Sequence, residues 1–366
     1  MKKVVFVSPV EVDRPVDGLR WRAHLTARGL ASLGSITLIE ITTDGGRRGD
    51  HIAVTPRTPL RRATSRVHPR LPARVAARDW SPARPLLASV EHADLVWVMQ
   101  PDLVGAGLHV PGGPLVVDMV DLEAGKFHGS GPLVAHQRRM WERLQDRVIA
   151  AADAVVLSNP AEAASVEGTP CAVLPNAVDV APVQAADGPP TLLLVGRFTY
   201  QPNHEAARWL IDEVLPGLVR THPGVRLLLV GRHDGALDEF GDRDGVEILG
   251  FVDDLTPVWE RASAMVAPIR SGTGTRLKII ESFARGVPVV STSLGCDGLA
   301  VAHDRELLVA DDPSRFADQC RRVLDDDDLR RRLRRAGLGY AESAHTPAAF
   351  ESVVASVGRN CMDGSR

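Results

Sequence analysis

No stretch of this chain approaches the run of roughly 18 apolar residues that a membrane span needs, so the sequence reads as a soluble protein. Cysteine is scarce and unclustered. Cys171, Cys296, Cys320 and Cys361 show neither CxxC nor metal-ligand spacing, the pattern of reduced structural thiols in a cytoplasmic protein. HExxH and GxSxG are absent, so zinc-protease and nucleophile-elbow chemistry have no sequence support. No Gly-x-Gly-x-x-Gly follows the first apolar run, which argues against a dehydrogenase. The net charge of −3 gives no global attraction to nucleic acid, and none is expected as a partner. The opening Met1-Lys2-Lys3 and Val4–Val7 briefly resemble a signal peptide. Pro9, Glu11 and Asp13 end that apolar run too soon, and it is read as a first buried strand.

What is present is a repeated strand–helix alternation. At 366 residues, two domains are the natural expectation. Strands are expected at Val4–Ser8, Ile36–Ile41, Leu95–Met99, Leu115–Asp118 and Ala154–Leu157, with helices at Gly18–Leu33 and Leu133–Ala152. After the proline-rich stretch Ala181–Pro190 the pattern restarts, with strands at Thr191–Val195, Val225–Val230, Val246–Leu249, Ala264–Ala267, Val287–Ser291 and Leu307–Val309. The expected class is therefore α/β, two doubly wound Rossmann-like domains facing a central cleft, with ligands at the carboxyl ends of the strands. The expected division is 1–180 for the first domain, 181–190 for a linker and 191–345 for the second domain. Residues 346–366 form a short helix (Pro347–Gly358) and tail crossing back toward the first domain.

Arg57–Arg78 stands apart, with seven arginines and no acid. Arginines at every fourth position from Arg62 would share a helix face, but Pro69 and Pro72 interrupt any single helix. Two readings stay open: a solvated loop, or a contact with a membrane surface or another anionic partner.

The chemistry is concentrated in Ala267–Leu299. A buried strand ends at Pro268, a loop containing Gly272 and Gly274 follows, and a helix begins near Thr275. Glycines let backbone N–H groups approach a ligand, and the helix presents its positive end there, which suits a diphosphate. Ile279, Ile280, Phe283 and Ala284 form the packing stripe. Lys278 and Glu281, three apart, share the other, exposed face. Lys278 suits a phosphate, and Glu281, about 4.5 Å further along the axis, suits a ribose diol. Arg197, after the strand Thr191–Val195 and Gly196, offers a second cation. Asp242-Arg243-Asp244 matches DxD only formally, in a glycine-flanked polar loop, and no metal site or cofactor is expected.

These pieces, with Val195-Gly196-Arg197-Phe198, Tyr200-Gln201-Pro202-Asn203, Leu229-Val230-Gly231, Leu249-Gly250-Phe251-Val252 and Gly286–Thr292, resemble the retaining glycosyltransferases of family 4 (glycosyl transferases group 1), which have the GT-B fold. The resemblance covers most of 190–300. It implies that Arg197 and Lys278 hold the donor diphosphate, that Glu281 holds the ribose, and that backbone around Phe251 contacts the base. Gly196 and the loop Ser271, Gly272, Thr273, Gly274 and Thr275 would lie against the donor sugar and its phosphates. Two positions depart from the family pattern. Where many relatives have the first acid of Glu-x7-Glu, this chain has Thr273. Where many have a strand-end histidine, it has Val120, which leaves Asp121, then Glu123, as candidate polar groups. Asp121 reads equally well as an N-cap of the next segment. On the acceptor side, Asp17, Gly18, Arg20, Trp21 and His24 follow the first loop, and Trp21 suits packing equally well.

With the cysteine pattern, the expectation is a cytoplasmic enzyme, peripheral at the membrane if the arginine segment binds there. It would move a sugar from a nucleoside-diphosphate sugar to a saccharide, lipid-linked or small-molecule acceptor, without metal and with retention. The alternative is a catalytically degenerate nucleotide-binding relative with a regulatory or scaffold role.

Overall fold

Alternate residues of the same short strands feed two different cores, and this fixes each sheet in the middle of a three-layer stack. The computed structural model describes residues 1–13, 17–42, 52–53, 70–77, 83–127, 131–184, 188–272, 274 and 276–364. Two compact units emerge, one built from Met1–Ala177 with the segment from Pro347 onward, the other from Val178–Gly272 and Arg276–Thr346.

The first unit holds β1 (Lys3–Ser8), β2 (Ser35–Thr42), β3 (Ile52–Ala53), β4 (Leu95–Met99), β5 (Leu115–Val120), β6 (Ala154–Leu157) and β7 (Cys171–Val173). They form one sheet in the order β3-β2-β1-β4-β5-β6-β7, with every pair parallel. Val5 and Val7 of β1 pack into one core while Val4 and Phe6 pack into the other. Such double burial is why these strands read as continuous apolar runs. The longer helices are α1 (Gly18–Ala31) and α2 (Pro132–Ala151).

The second unit holds β8 (Thr191–Val195), β9 (Arg226–Val230), β10 (Val246–Gly250), β11 (Ala264–Ala267), β12 (Val289–Ser291) and β13 (Leu308–Val309). Their order, β10-β9-β8-β11-β12-β13, is the doubly wound 3-2-1-4-5-6 arrangement. Its helices include α3 (Gln201–Trp209), α4 (Leu277–Arg285), α5 (Pro313–Asp325) and α6 (Asp327–Ala344). Ile279, Ile280, Phe283 and Ala284 of α4 are all buried, and Gly286 closes the helix at φ +69°, the left-handed cap that glycine adopts without strain.

After α6, helix α7 (Pro347–Gly364) joins the first unit. It buries Phe350, Val354 and Val357. Its backbone passes so near α1 that a Cβ on Gly29 would lie 2.8 Å from the Val354 Cβ. Within the same unit Arg22 is buried. It donates to both oxygens of Asp118 at 2.8 and 2.9 Å, to the Leu174 carbonyl at 3.1 Å and to Asn176 Oδ1 at 3.0 Å.

Several expected elements differ in extent. The strands β3 and β7 were not foreseen: they are edge pieces of two and three residues, too short to carry a pattern. The C-terminal helix runs to Gly364 rather than Gly358, and α4 begins at Leu277 rather than near Thr275. Of the arginine-rich segment only 70–77 lie within the described residues. There Arg74 ion-pairs with Glu123 at 3.3 Å and stands 4.7 Å from the centre of the Trp141 ring. Among the described residues no helix is long and apolar enough to cross a membrane.

Candidate functional site

In the second unit β8 lies between β9 and β11, so successive connections leave to opposite sides. The loops after β8 and β11 thus open at the point where a doubly wound sheet receives ligands. The approach of these loops is set by glycines. A Cβ on Gly231 (φ +134°) would meet the Gly196 carbonyl at 2.0 Å. A Cβ on Gly272 (φ +89°) would meet Pro202 Cγ and the Tyr200 hydroxyl, each at 2.8 Å. Gly274 also has positive φ, +116°, with open space where its Cβ would be.

The first turn of α3 fastens both loops. Asn203 donates from Nδ2 to the Arg197 carbonyl at 2.9 Å and accepts at Oδ1 from Lys278 Nζ at 2.8 Å. Glu205 accepts from Ser271 Oγ and from Gln201 Nε2, each at 2.7 Å. Gly196, Arg197, Ser271, Gly272 and Lys278 are thereby brought together within one unit, with Glu281 one turn on along α4. The Arg197 side chain is exposed. Thr273 and Thr275 lie outside the described residues.

Lys278 and Glu281 are not on an exposed face: both are half-buried, and Asn203 of α3 reaches across to Lys278. Burial leads in pulling the lysine down to about 8, followed by the Arg276 charge and opposed by Glu281. Burial likewise lifts Glu281 to about 7, against Arg285 and Lys278. A half-buried cation and a nearby carboxyl, both held away from their ordinary values, suit a ligand that supplies phosphate to one and hydroxyls to the other. Phe251, after β10, is 65% exposed, and the Arg232 guanidinium lies 5.7 Å from its ring centre. It stands two strands away from β8, at the far end of the same sheet edge.

In the first unit the remaining candidates fall into two groups. Asp17 caps α1, accepting the Arg20 N–H at 2.9 Å and pairing with the Arg20 guanidinium. Gly18 is exposed at the helix start. Trp21 donates its Nε1–H to the Ala177 carbonyl at 2.9 Å and stacks on His24, centroids 5.9 Å apart. Asp121 is buried at the end of β5. It accepts from Ser158 Oγ at 2.9 Å and pairs with Lys126 Nζ at 3.1 Å, and Glu123 shares that lysine at 3.1 Å. Asp121 is therefore an ion-pair member and not a helix N-cap. Lys126 is raised by Asp121 and Glu123 against its burial, and burial lifts the neighbouring Glu162. Val120 sits at φ +65°, uncommon for a β-branched residue. Asp118 Oδ1 accepts its N–H at 3.0 Å, and its carbonyl takes the Ser158 N–H and hydroxyl at 2.8 and 2.7 Å.

Glu205, Ser158 and Lys126 carried no functional signal in the sequence, and Asn203 entered only as the last residue of the Tyr200–Asn203 motif. Asn203, Glu205 and Ser158 act on partners remote in the chain, Lys278 being 75 residues from Asn203, whereas Lys126 pairs with Asp121 and Glu123 close by. Asp242 and Asp244 flank Arg243, which pairs with Asp212 at 3.1 Å. Among the described residues no group of three His, Cys, Asp or Glu side chains is assembled for a metal.

Comparison with known proteins bears on the same region. Residues 189–326 match the model of the family described as Glycosyl transferases group 1. The chain is 34% identical over 177 residues to the phosphatidyl-myo-inositol mannosyltransferase of Mycolicibacterium smegmatis, a match covering 44% of this chain and 45% of that protein. It is 24% identical over 135 residues to an uncharacterized 44.6 kDa protein in the cps region of Klebsiella pneumoniae, of which it spans 35%. The chain thus spans less than half the length of these curated relatives. Among solved structures, sucrose-phosphate synthase from Thermosynechococcus elongatus superposes with a TM-score of 0.74 at 18% identity, covering 100% of both chains. Anabaena HepE, solved in complex with UDP-glucose, superposes with a TM-score of 0.67 at 15% identity, covering 98% of this chain and 99% of its own. The chain has the GT-B fold, and its match to the glycosyl transferases group 1 model falls on the second unit, over residues 189–326.

Proposed function

We propose that this protein is a glycosyltransferase that moves a sugar from a nucleoside-diphosphate sugar to an acceptor nucleophile, without metal and with retention at the anomeric carbon. The observation that carries the proposal is the meeting of Arg197, Lys278 and the Gly272 loop at the strand ends of β8 and β11. As the glycosidic bond to the donor breaks, negative charge collects on the departing diphosphate. Arg197 and Lys278 stabilise that charge, and backbone N–H groups of the glycine loop add to it. Glu281 accepts hydrogen bonds from the ribose, and backbone around Phe251 receives the base. HepE in complex with UDP-glucose supports a sugar nucleotide as donor. The acceptor nucleophile takes the sugar, and Asp121 is the candidate polar group contributed by the first unit. Catalysis in the cytoplasm, at the membrane surface where the acceptor is lipid-linked, completes the proposal.

The test is a panel of UDP, GDP, ADP, CMP and dTDP, read as shifts in melting temperature with and without EDTA. At 100 times its dissociation constant a ligand stabilises by about 2.7 kcal/mol. One diphosphate is expected to shift the wild type, with or without EDTA, and not Lys278→Ala. A shift abolished by EDTA removes metal independence, and no shift with any member removes the nucleotide site. Lys278→Ala and Arg197→Ala are expected to lower turnover by about 100- to 1000-fold. The anomer of the product, read by NMR, decides retention.

One observation favours the second reading, nucleotide binding without transfer. Ser158 and Lys126 already engage both oxygens of Asp121. A wild-type protein that binds the diphosphate but never consumes the sugar nucleotide would establish that reading.

A further inference from the structure

We infer that Asn203 is a positioning residue of the anion site: its side-chain amide ties the loop after β8 to α4, aiming the Lys278 ammonium while leaving its charge for the ligand. The inference rests on the reading of Lys278 as a diphosphate ligand.

Both ends of the amide are in use, Nδ2 on the Arg197 carbonyl at 2.9 Å and Oδ1 on Lys278 at 2.8 Å. Pro202, buried in the first turn of α3, fixes the backbone just before it, and the Asn203 N–H is held by the Tyr200 carbonyl at 3.0 Å. Opposite stands Gly196, where a Cβ would come within 2.9 Å of Asn203 Nδ2. Any larger residue at 196 would push the amide off its two partners.

The chemistry of the side chain matters as much as its place. An ammonium has three N–H donors, and one spent on Asn203 leaves two for phosphate oxygens. A neutral amide orients the lysine without cancelling its charge. A carboxylate at the same spot would form an ion pair and oppose the incoming anion. The nearest carboxylate on α3, Glu205, is occupied by Ser271 and Gln201. The other charged groups around the lysine are Arg276 and Glu281 on its own segment, and Arg197 on the loop that Asn203 anchors.

Lys278 binds anion in its protonated form, so its own contribution to affinity is full below its titration and is lost as pH rises through about 8. Asn203→Ala removes an acceptor from the ammonium and moves this limb to lower pH. Asn203→Asp adds a charge that holds the proton and moves it to higher pH.

The experiment is calorimetric titration of the full chain with the tightest nucleoside diphosphate of the panel and with inorganic pyrophosphate, from pH 6 to 10. Asn203→Ala is expected to weaken both ligands about ten-fold, the scale of a hydrogen bond to a charged group. Asn203→Asp is expected to weaken them further, with the two limbs displaced in opposite directions. A purely structural loss would weaken binding without opposite displacements. Asn203→Ser replaces the alanine variant if that one fails to fold. If Lys278→Ala abolishes binding while the Asn203 variants keep wild-type affinity and limb, the positioning role is overturned and the diphosphate site stands. If Lys278→Ala binds as the wild type does, the diphosphate site itself fails, and the role of Asn203 with it.

Discussion

Lys278 and Glu281 are held in states that the unliganded protein does not favour. The lysine, lowered from 10.5 to about 8, contributes stability above pH 10.5 and loses it as pH falls through about 8. The glutamate, raised from 4.5 to about 7, contributes stability below pH 4.5 and loses it as pH rises through about 7. Between those values both carry charge at a cost that a diphosphate and a ribose would offset. Nucleoside diphosphate affinity is therefore expected to be bell-shaped in pH, falling below about 7 and above about 8. Calorimetry in buffers of different ionisation enthalpy should show proton uptake on the alkaline side and release on the acid side. The double variant Lys278→Met, Glu281→Gln should lose binding yet unfold about 1–3 kcal/mol harder in urea at pH 7.5. An unchanged or lower stability would refute the stored cost. Arg22 is the opposite case. Its buried pair with Asp118 is supported by further hydrogen bonds to the Leu174 carbonyl and Asn176, and Arg22→Ala strands a carboxylate at a cost of about 3–5 kcal/mol, measurable by urea denaturation. The apolar stripe of α4 was legible from its spacing. The burial of its polar side was not, because it depends on groups remote in the chain, such as Asn203 against Lys278.

At the scale of elements, sequence and structure agree most closely where strands are buried on both faces. β4, β6, β8 and β11 begin and end at the residues their apolar runs indicate. The edge strands β3 and β7 gave no such run, being only two and three residues long. Glycine marked the loop after β11, but sequence could not tell which of its glycines is confined by a neighbour. The structure distinguishes them: a side chain at Gly272 meets Pro202 and Tyr200, whereas one at Gly274 meets open space. Gly272→Ala is thus expected to weaken nucleoside diphosphate binding more than ten-fold and to cost about 1–2 kcal/mol of stability, from positive φ and crowding together. Gly274→Ala should show the conformational cost without the crowding. Equal effects of the two substitutions on affinity would mean that contact with α3 does not shape the loop.

For the whole molecule, the chain runs through the first unit, then the second, and returns to the first by α7. Phe350, Val354 and Val357 of that helix are buried against the first sheet and α1. Each such side chain contributes about 1.5–3 kcal/mol, so together they approach the net stability of a whole domain. A chain ending at Thr346 should therefore unfold its first unit at low denaturant while the second keeps its cooperative transition. Two undisturbed transitions would show that α7 is dispensable. The sequence by itself determined that there are two parallel sheets, where their central strands lie, and where glycines and cations cluster at strand ends. These features follow from local pattern, since a doubly covered strand must be apolar throughout and a left-handed turn must find glycine. Tertiary structure alone decided how Lys278 and Glu281 titrate, which amide aims the lysine, and that Lys126 and Ser158 engage Asp121. Each of those outcomes depends on distances and burial that exist only once the chain has folded, whether the groups are 75 residues apart, as Asn203 and Lys278 are, or near neighbours, as Asp121 and Lys126 are.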